Sequence, residues 1–246
     1  MREIQDEAVV LRTYRSGESD RVVVLWTRAH GKVRVLARGV RKTTSKLGGN
    51  LEVLAHVRVD LVKTRGEFYI VRHVQHCSRL VTLRSSYDRI NAGYAVVEVV
   101  DAIPSDDVPD EGIFDLLVRV LATLDNEAFD PTLVPASFYL RLLDYDGSAP
   151  VVEHCVNCAS EGPLVAFNAQ IGGALCARCR SGLALSSEAL HLVRRIVGGD
   201  LAAVLREPLA PAAGEVAALA QHAIEQHFGR RLRAASSAAP LAPPAR

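Results

Sequence analysis

In the stretch LEVLAHVRVDLV, residues 51–62, Val53, Ala55, Val57, Val59 and Leu61 fall at every second position. From residue 113 the rule changes. Ile113, Leu116, Leu117, Val120, Leu121 and Leu124 recur at i, i+3, i+4, i+7, i+8 and i+11. A period of two suits a strand with one buried face, and a period near 3.6 suits an amphipathic helix. The two periods occupy separate blocks instead of alternating, so the chain is expected to be α+β and multidomain.

The first block holds five candidate strands. EAVVLRTY and DRVVVLWT are β-branched runs separated by RSGES, a turn composition. KVRVLAR alternates, with Val33 and Val35 on one face and Lys32 and Arg34 on the other. LEVLAHVRVDLV and EFYIVRHVQ flank TRG and make a plausible hairpin. Five strands with no helix between them predict a small OB-like barrel over residues 1–79. The second block, residues 80–233, reads as helical. Ile90, Tyr94 and Val97 mark one helix, Ile113 to Leu124 a second, and LVPASFYLRLLDY a third. Acids and Pro109 between Asp107 and Asp110 suit the start of the second. Ser187 is the expected cap of a helix through Leu190, Val193 and Ile196, stopped at Gly198 and Gly199. Val216, Leu219, Ala223 and Ile224 define the last helix, closing near Gly229. Residues 234–246, AASSAAPLAPPAR without a core-forming pattern, are expected to be disordered.

Four of the five cysteines lie in two pairs, Cys155-x2-Cys158 and Cys176-x2-Cys179, separated by 17 residues. That spacing suits one structural Zn²⁺ within an insertion at 153–182. Four thiolates close a tetrahedral shell and leave no position for substrate or activated water. Four unligated thiols and redox CxxC chemistry are the other readings. Redox work would want one pair at a helix N-terminus after a strand. Ala159, where many zinc knuckles have glycine, follows the first pair, and His154 could compete as a ligand. Cys77 stands alone and reads as a buried structural thiol.

No apolar run reaches the roughly 18 residues needed to span a bilayer. The start, MREIQDEAVV, carries acids where a signal peptide needs a basic end and an apolar stretch. A cytoplasmic location and reduced cysteines are therefore expected. The formal net charge of +1 hides a split: residues 1–79 carry a net +8 and residues 80–246 a net −7. From Arg28 to Lys46 there are seven cations and no acid: Arg28, Lys32, Arg34, Arg38, Arg41, Lys42 and Lys46. Such a surface attracts a polyanion by releasing counterions, although a basic run is also often only a solvated face. Trp26 and Phe68 read as core, and Tyr14 and Tyr69 are the candidates for stacking on bases. No phosphate loop, HExxH helix or nucleophile elbow is present. Asp106, Asp107, Asp110 and Glu111 suit a helix start better than metal-assisted catalysis. No catalytic residue is assigned, and the chain does not read as an enzyme.

Taken together, DEAVVLRTYRSGESDRVVVLWTRAHGKVRVLARGVRK, FYLRLLDYDGSAP and CVNC…FNAQIGGALCARC resemble the bacterial RecO family of DNA recombination and repair proteins, from about residue 3 to residue 233. The resemblance implies a non-enzymatic mediator with an N-terminal OB-fold. Such a protein binds single- and double-stranded DNA and anneals complementary strands. With RecR it helps load RecA onto strands coated by single-stranded-DNA-binding protein (SSB), whose C-terminal tail binds the helical domain. It also implies a bacterial, nucleoid-associated protein. The cations of the third strand and the loop after it become the DNA contacts. The zinc-bearing members of the family carry the four cysteines. The runner-up reading is an RNA-binding OB and zinc-ribbon protein of the translation machinery, which the long helical region fits less well. A zinc hydrolase or redox enzyme is a third reading.

Overall fold

The structure, a computed structural model, describes residues 3–40, 47–104 and 108–233. Arg41, Lys42, Lys46, Asp106, Asp107 and the tail expected to be disordered lie outside the described residues. The chain divides into two compact units, one running to Asp125 and one beginning at Asn126. The change from strand to helix falls earlier, between Ser78 and Val81, because the next three helices pack with the strands in one unit.

The first unit is built on β1 (Glu3–Ser16), β2 (Asp20–Thr27), β3 (Gly31–Ala37), β4 (His56–Lys63) and β5 (Tyr69–Ser78). They close a barrel in the order β1-β2-β3-β5-β4. β3 and β5 run parallel, and the other neighbours are antiparallel. The β3–β5 seam that closes the barrel is short, with only Val35 opposite Tyr69 and Leu36 opposite Ile70. Alternation fills the interior: Ala8, Val10, Val23, Leu25, Val33, Val35, Val57, Val59, Leu61, Tyr69 and Val71 form one buried cluster. Burial on this scale contributes about 25 cal/mol for each Å² of apolar surface removed from water. The expected strand at Leu51 to Val62 starts late. Residues 51–55 form a turn with Leu54 at φ +72°, and only His56 onward pairs. The alternation at Val53 and Ala55 continues a strand rule through residues that are not strand.

The barrel wall is covered from outside as well. Val9, Leu11, Val22, Val24 and Trp26 alternate with the interior residues and are nonetheless buried. α1 (Val81–Ser85), α2 (Tyr87–Ala102) and α3 (Glu111–Leu124) follow, and α2 packs on β1 and α3. Every residue of α2 from Ala95 to Val100 is buried, including Glu98. A helix apolar all round is enclosed on several sides, so the narrow stripe expected at Ile90, Tyr94 and Val97 was too small. A Cβ on Gly93 would meet the Leu54 side chain at 2.9 Å, which marks how closely the helix sits on the barrel. α3 matches its sequence pattern, and Asp110 caps it by accepting from the Ile113 amide at 2.9 Å.

The second unit packs α4 (Val134–Tyr145), α5 (Ser187–Val197) and α7 (Ala213–Phe228) together, with the short α6 (Leu201–Val204) beside α5. Phe138, Leu142, Val193, Ile196, Val216, Leu219 and Ile224 are among the buried apolar residues along these helices. The cap of α5 is Ser186, which accepts from the Ala189 amide at 3.1 Å, one residue before the expected Ser187. Gly229 closes α7 at φ +62°. Between α4 and α5 the chain forms a sheet absent from the sequence reading: β6 (Leu164–Asn168), β7 (Gly173–Cys176) and β8 (Leu183–Ala184), in the order β7-β6-β8. The helical region is therefore interrupted by a small β module, which carries the cysteines. Among the described residues no helix is long and apolar enough to cross a membrane.

Candidate nucleic-acid interface and four-cysteine centre

Strand register decides which cations of the basic stretch face solvent. Arg12, Val24 and Arg34 lie side by side across β1, β2 and β3. One row along come Tyr14, Val22, Leu36, Ile70 and Val62. Directly paired residues share a face, so an outer row of apolar side chains with half-buried Tyr14 at one end is flanked by two guanidiniums. Arg34 is exposed and stands 3.6 Å from Glu67. Arg12 stands 3.3 Å from Asp101, with its guanidinium 5.8 Å from the Tyr14 ring centre. Arg12 was absent from the sequence reading because it lies outside the basic run, and only pairing places it beside Arg34.

The same register sets Arg15 opposite Arg21 and Arg21 opposite Ala37, the residue before Arg38. Arg38 is exposed and has no acidic partner among the described residues. Glu52 holds Arg21 at 2.9 Å, and Asp20 accepts from the Gly39 amide at 2.7 Å, tying the β1–β2 turn to the exit of β3.

Other members of the basic run serve the fold. Arg28 pairs with Asp115 at 2.8 Å and Glu7 at 3.6 Å, and lies over the Phe114 ring at 4.5 Å. Lys32 donates its amine to the carbonyls of Asp101 and Ile103 at the C-terminus of α2, where the helix dipole favours a cation. Tyr69 corrects the stacking expectation. It is only 4 % exposed, within the barrel interior, because it alternates in phase with Val71. Trp26 is fully buried, as core, and Phe68 is half-buried.

The four cysteines of the β module converge. Their sulfurs all lie within 4.8 Å of one another, with Cys158 and Cys176 3.7 Å apart. A tetrahedral centre with metal–sulfur bonds of about 2.3 Å needs sulfurs roughly 3.8 Å apart, so the group can hold a metal ion. Local turns create it. The Ala159 amide donates to the Cys155 carbonyl and the Cys179 amide to the Cys176 carbonyl. Backbone N–H groups from Cys176, then Asn157 and Cys158, hold the Cys155 thiol down at about 6, which favours thiolate. Asn157 also donates to the Cys179 sulfur at 3.4 Å. Arg178 is pushed above its ordinary value by Cys158, then Cys176, so its charge faces the sulfurs. His154 is exposed and outside the group. Ala159 sits at φ +57°, the left-handed region that favours glycine. Gly173 is required where β7 meets Val151, since a Cβ there would lie 2.6 Å from the Val151 carbonyl oxygen.

Cys77 corrects another expectation: it is exposed, not buried. It sits at an irregularity in β5, where His56 pairs Ser78 but Val57 pairs His76.

Comparison with known proteins agrees with this architecture. The N-terminal family model of recombination protein O matches residues 1–78, and the C-terminal model matches residues 84–235. The DNA repair protein RecO of Streptomyces avermitilis is 36% identical over 206 residues, spanning 80% of this chain and 83% of the relative. That of Streptomyces coelicolor is also 36% identical over 206 residues, with the same coverage. That of Nocardioides sp. is 37% identical over 206 residues, spanning 81% and 84%. With both domains matched in order and a closed five-stranded barrel ahead of a helical region bearing four convergent cysteines, the chain belongs to the RecO family of DNA repair proteins.

Proposed function

We propose that the protein is a non-catalytic recombination mediator. It binds single- and double-stranded DNA through the barrel and anneals complementary strands. The single observation that carries this reading is the outer barrel row flanked by Arg12 and Arg34, next to the barrel end that bears Arg38. Arg41, Lys42 and Lys46 follow directly in the sequence and extend the same basic run. Phosphates of two strands, neutralised on one surface, repel each other less, which favours pairing. Tyr14 offers the one wet aromatic edge of that row for a base. Arg28 and Lys32 contribute through the fold that presents the row.

The proposal extends to partners. RecR engages the barrel side, the SSB C-terminal tail engages the helical domain, and RecA is loaded as a result. The net −7 of residues 80–246 keeps that part of the chain from competing for DNA. The four cysteines hold one structural Zn²⁺. The donor set supports this: four sulfurs within 4.8 Å of one another, with backbone donors that favour the Cys155 thiolate. Zinc supplies folding free energy to the β module and leaves no open coordination position.

The test is annealing of complementary strands coated with SSB, with and without the protein. Acceleration is expected, and its absence overturns the mediator reading. Competition between single-stranded DNA and RNA of the same sequence separates this from an RNA-binding protein. Preference for RNA would move the protein to the alternative class.

A further inference from the structure

On the adjacent strands β5, β4 and β1, pairing brings together side chains that the DNA-binding reading does not use. Glu7 of β1, His56 of β4 and Cys77 of β5 place a carboxylate oxygen, an imidazole nitrogen and a thiol sulfur all within 4.8 Å of one another. We propose that these three residues form a second metal site, separate from the four-cysteine centre, which takes a borderline divalent cation of the Zn²⁺ class and leaves its fourth position open to water.

The donor chemistry is the first argument. One thiolate, one imidazole and one carboxylate suit Zn²⁺, while Mg²⁺ and Ca²⁺ require oxygen ligands. Three ligands with one open position differ from a closed structural centre.

The geometry is the second. Points within 4.8 Å of one another lie at most about 2.8 Å from a common centre, against about 2.0–2.3 Å for zinc bonded to N, O and S. Side-chain adjustment of under about 1 Å closes that difference. The irregular pairing of β5 next to His56 leaves Cys77 as the extra residue. A bulge of this kind re-aims one side chain, here toward the Glu7–His56 pair.

The surroundings are the third. His56 is 9 % exposed, and its Nε2 is 2.6 Å from Glu7 Oε1. Its ring is held edge-on to Phe114, with centroids 6.3 Å apart. Arg28 lies 3.6 Å from the other Glu7 oxygen and orients the carboxylate. Arg58, the cross-strand neighbour of Glu7, and Arg28 are cations near the site that oppose an incoming ion. Cys77 is exposed, so the site is reachable from solvent. Binding displaces the thiol proton of Cys77 and any proton shared between His56 and Glu7. Both protons leave to solvent, and no redox change is involved.

The experiment uses the full chain with its four-cysteine metal in place. Cys77 is alkylated with iodoacetamide with and without added Zn²⁺, and the Cys77 peptide is followed by mass spectrometry. Zn²⁺ is expected to slow its modification at least about tenfold, because a metal-bound thiolate is withdrawn from the alkylating agent. A chelator too weak to strip the closed centre should restore the rate. In parallel, Co²⁺ titration is expected to give one equivalent with a single sulfur-to-metal band. Cys77→Ser should lose that equivalent, since an exposed position tolerates the change without unfolding. Unchanged alkylation, or Co²⁺ uptake equal in the wild type and C77S, overturns the proposal. Either result would leave Glu7 and His56 as a plain hydrogen-bonded pair. DNA binding is not part of the readout, so failure here leaves the mediator reading standing.

Discussion

At the scale of single residues, chemistry that looks alike in the sequence separates once partners are known. Arg34 and Lys32 are two positions apart on β3, yet Arg34 faces solvent while Lys32 closes the end of α2. Arg34→Ala should therefore lower the salt slope of DNA binding by about 0.7–0.9 and leave the unfolding midpoint unchanged. Lys32→Ala should cost about 1–2 kcal/mol of stability in chemical denaturation, with little change in slope. Ala159 offers a gain. It holds φ +57° without glycine's freedom, so Ala159→Gly should stabilise the β module by about 1 kcal/mol, read as slower metal loss to a chelator. In the second unit Arg195 donates to both carboxylate oxygens of Glu207 at 2.6 Å and holds Glu207 below its ordinary value of 4.5. A carboxyl lowered on folding stabilises above its unfolded value, and that contribution disappears as pH falls through the folded one. Glu207→Gln should flatten the fall in denaturation midpoint between neutral pH and the acid side of 4.5, measured at constant ionic strength.

Among the elements, those with one buried face were legible and those with two were not. The alternation at Val57, Val59 and Leu61 and the stripe of α3 report a single apolar face, which is what periodicity encodes. α2 is buried on several sides, so its sequence has no clean period. The module of β6, β7 and β8 was missed because its strands are two to five residues long and rich in Gly and Ala. Gly31 shows how an element is held by a segment distant in sequence. It has φ +66°, and a Cβ on it would lie 2.1 Å from the Val108 carbonyl oxygen. Gly31→Ala should thus cost more than about 2 kcal/mol, combining left-handed strain with a backbone clash, and lower the thermal midpoint of the unit ending at Asp125.

For the whole molecule, the division at Asp125 predicts two separable unfolding events. Cys155→Ala with Cys176→Ala should abolish binding of the proposed Zn²⁺ and unfold the unit beginning at Asn126, followed by the loss of helical circular dichroism. Oligonucleotide binding by the barrel and its salt slope should persist. DNA affinity lost while the second unit stays folded would give the cysteine centre a direct part in binding. What the sequence alone determined was the order of a strand block and a helix block, the charge split, and the four cysteines as a group. Each of these is written in local period, composition or spacing. What only the tertiary structure decided was that Arg28 and Lys32 of the basic run are engaged by the fold, that Arg12 joins Arg34, that Tyr69 turns inward, and that Glu7, His56 and Cys77 meet. These depend on register and on a local irregularity in β5, and pairing between strands far apart in the chain has no signature in either strand by itself.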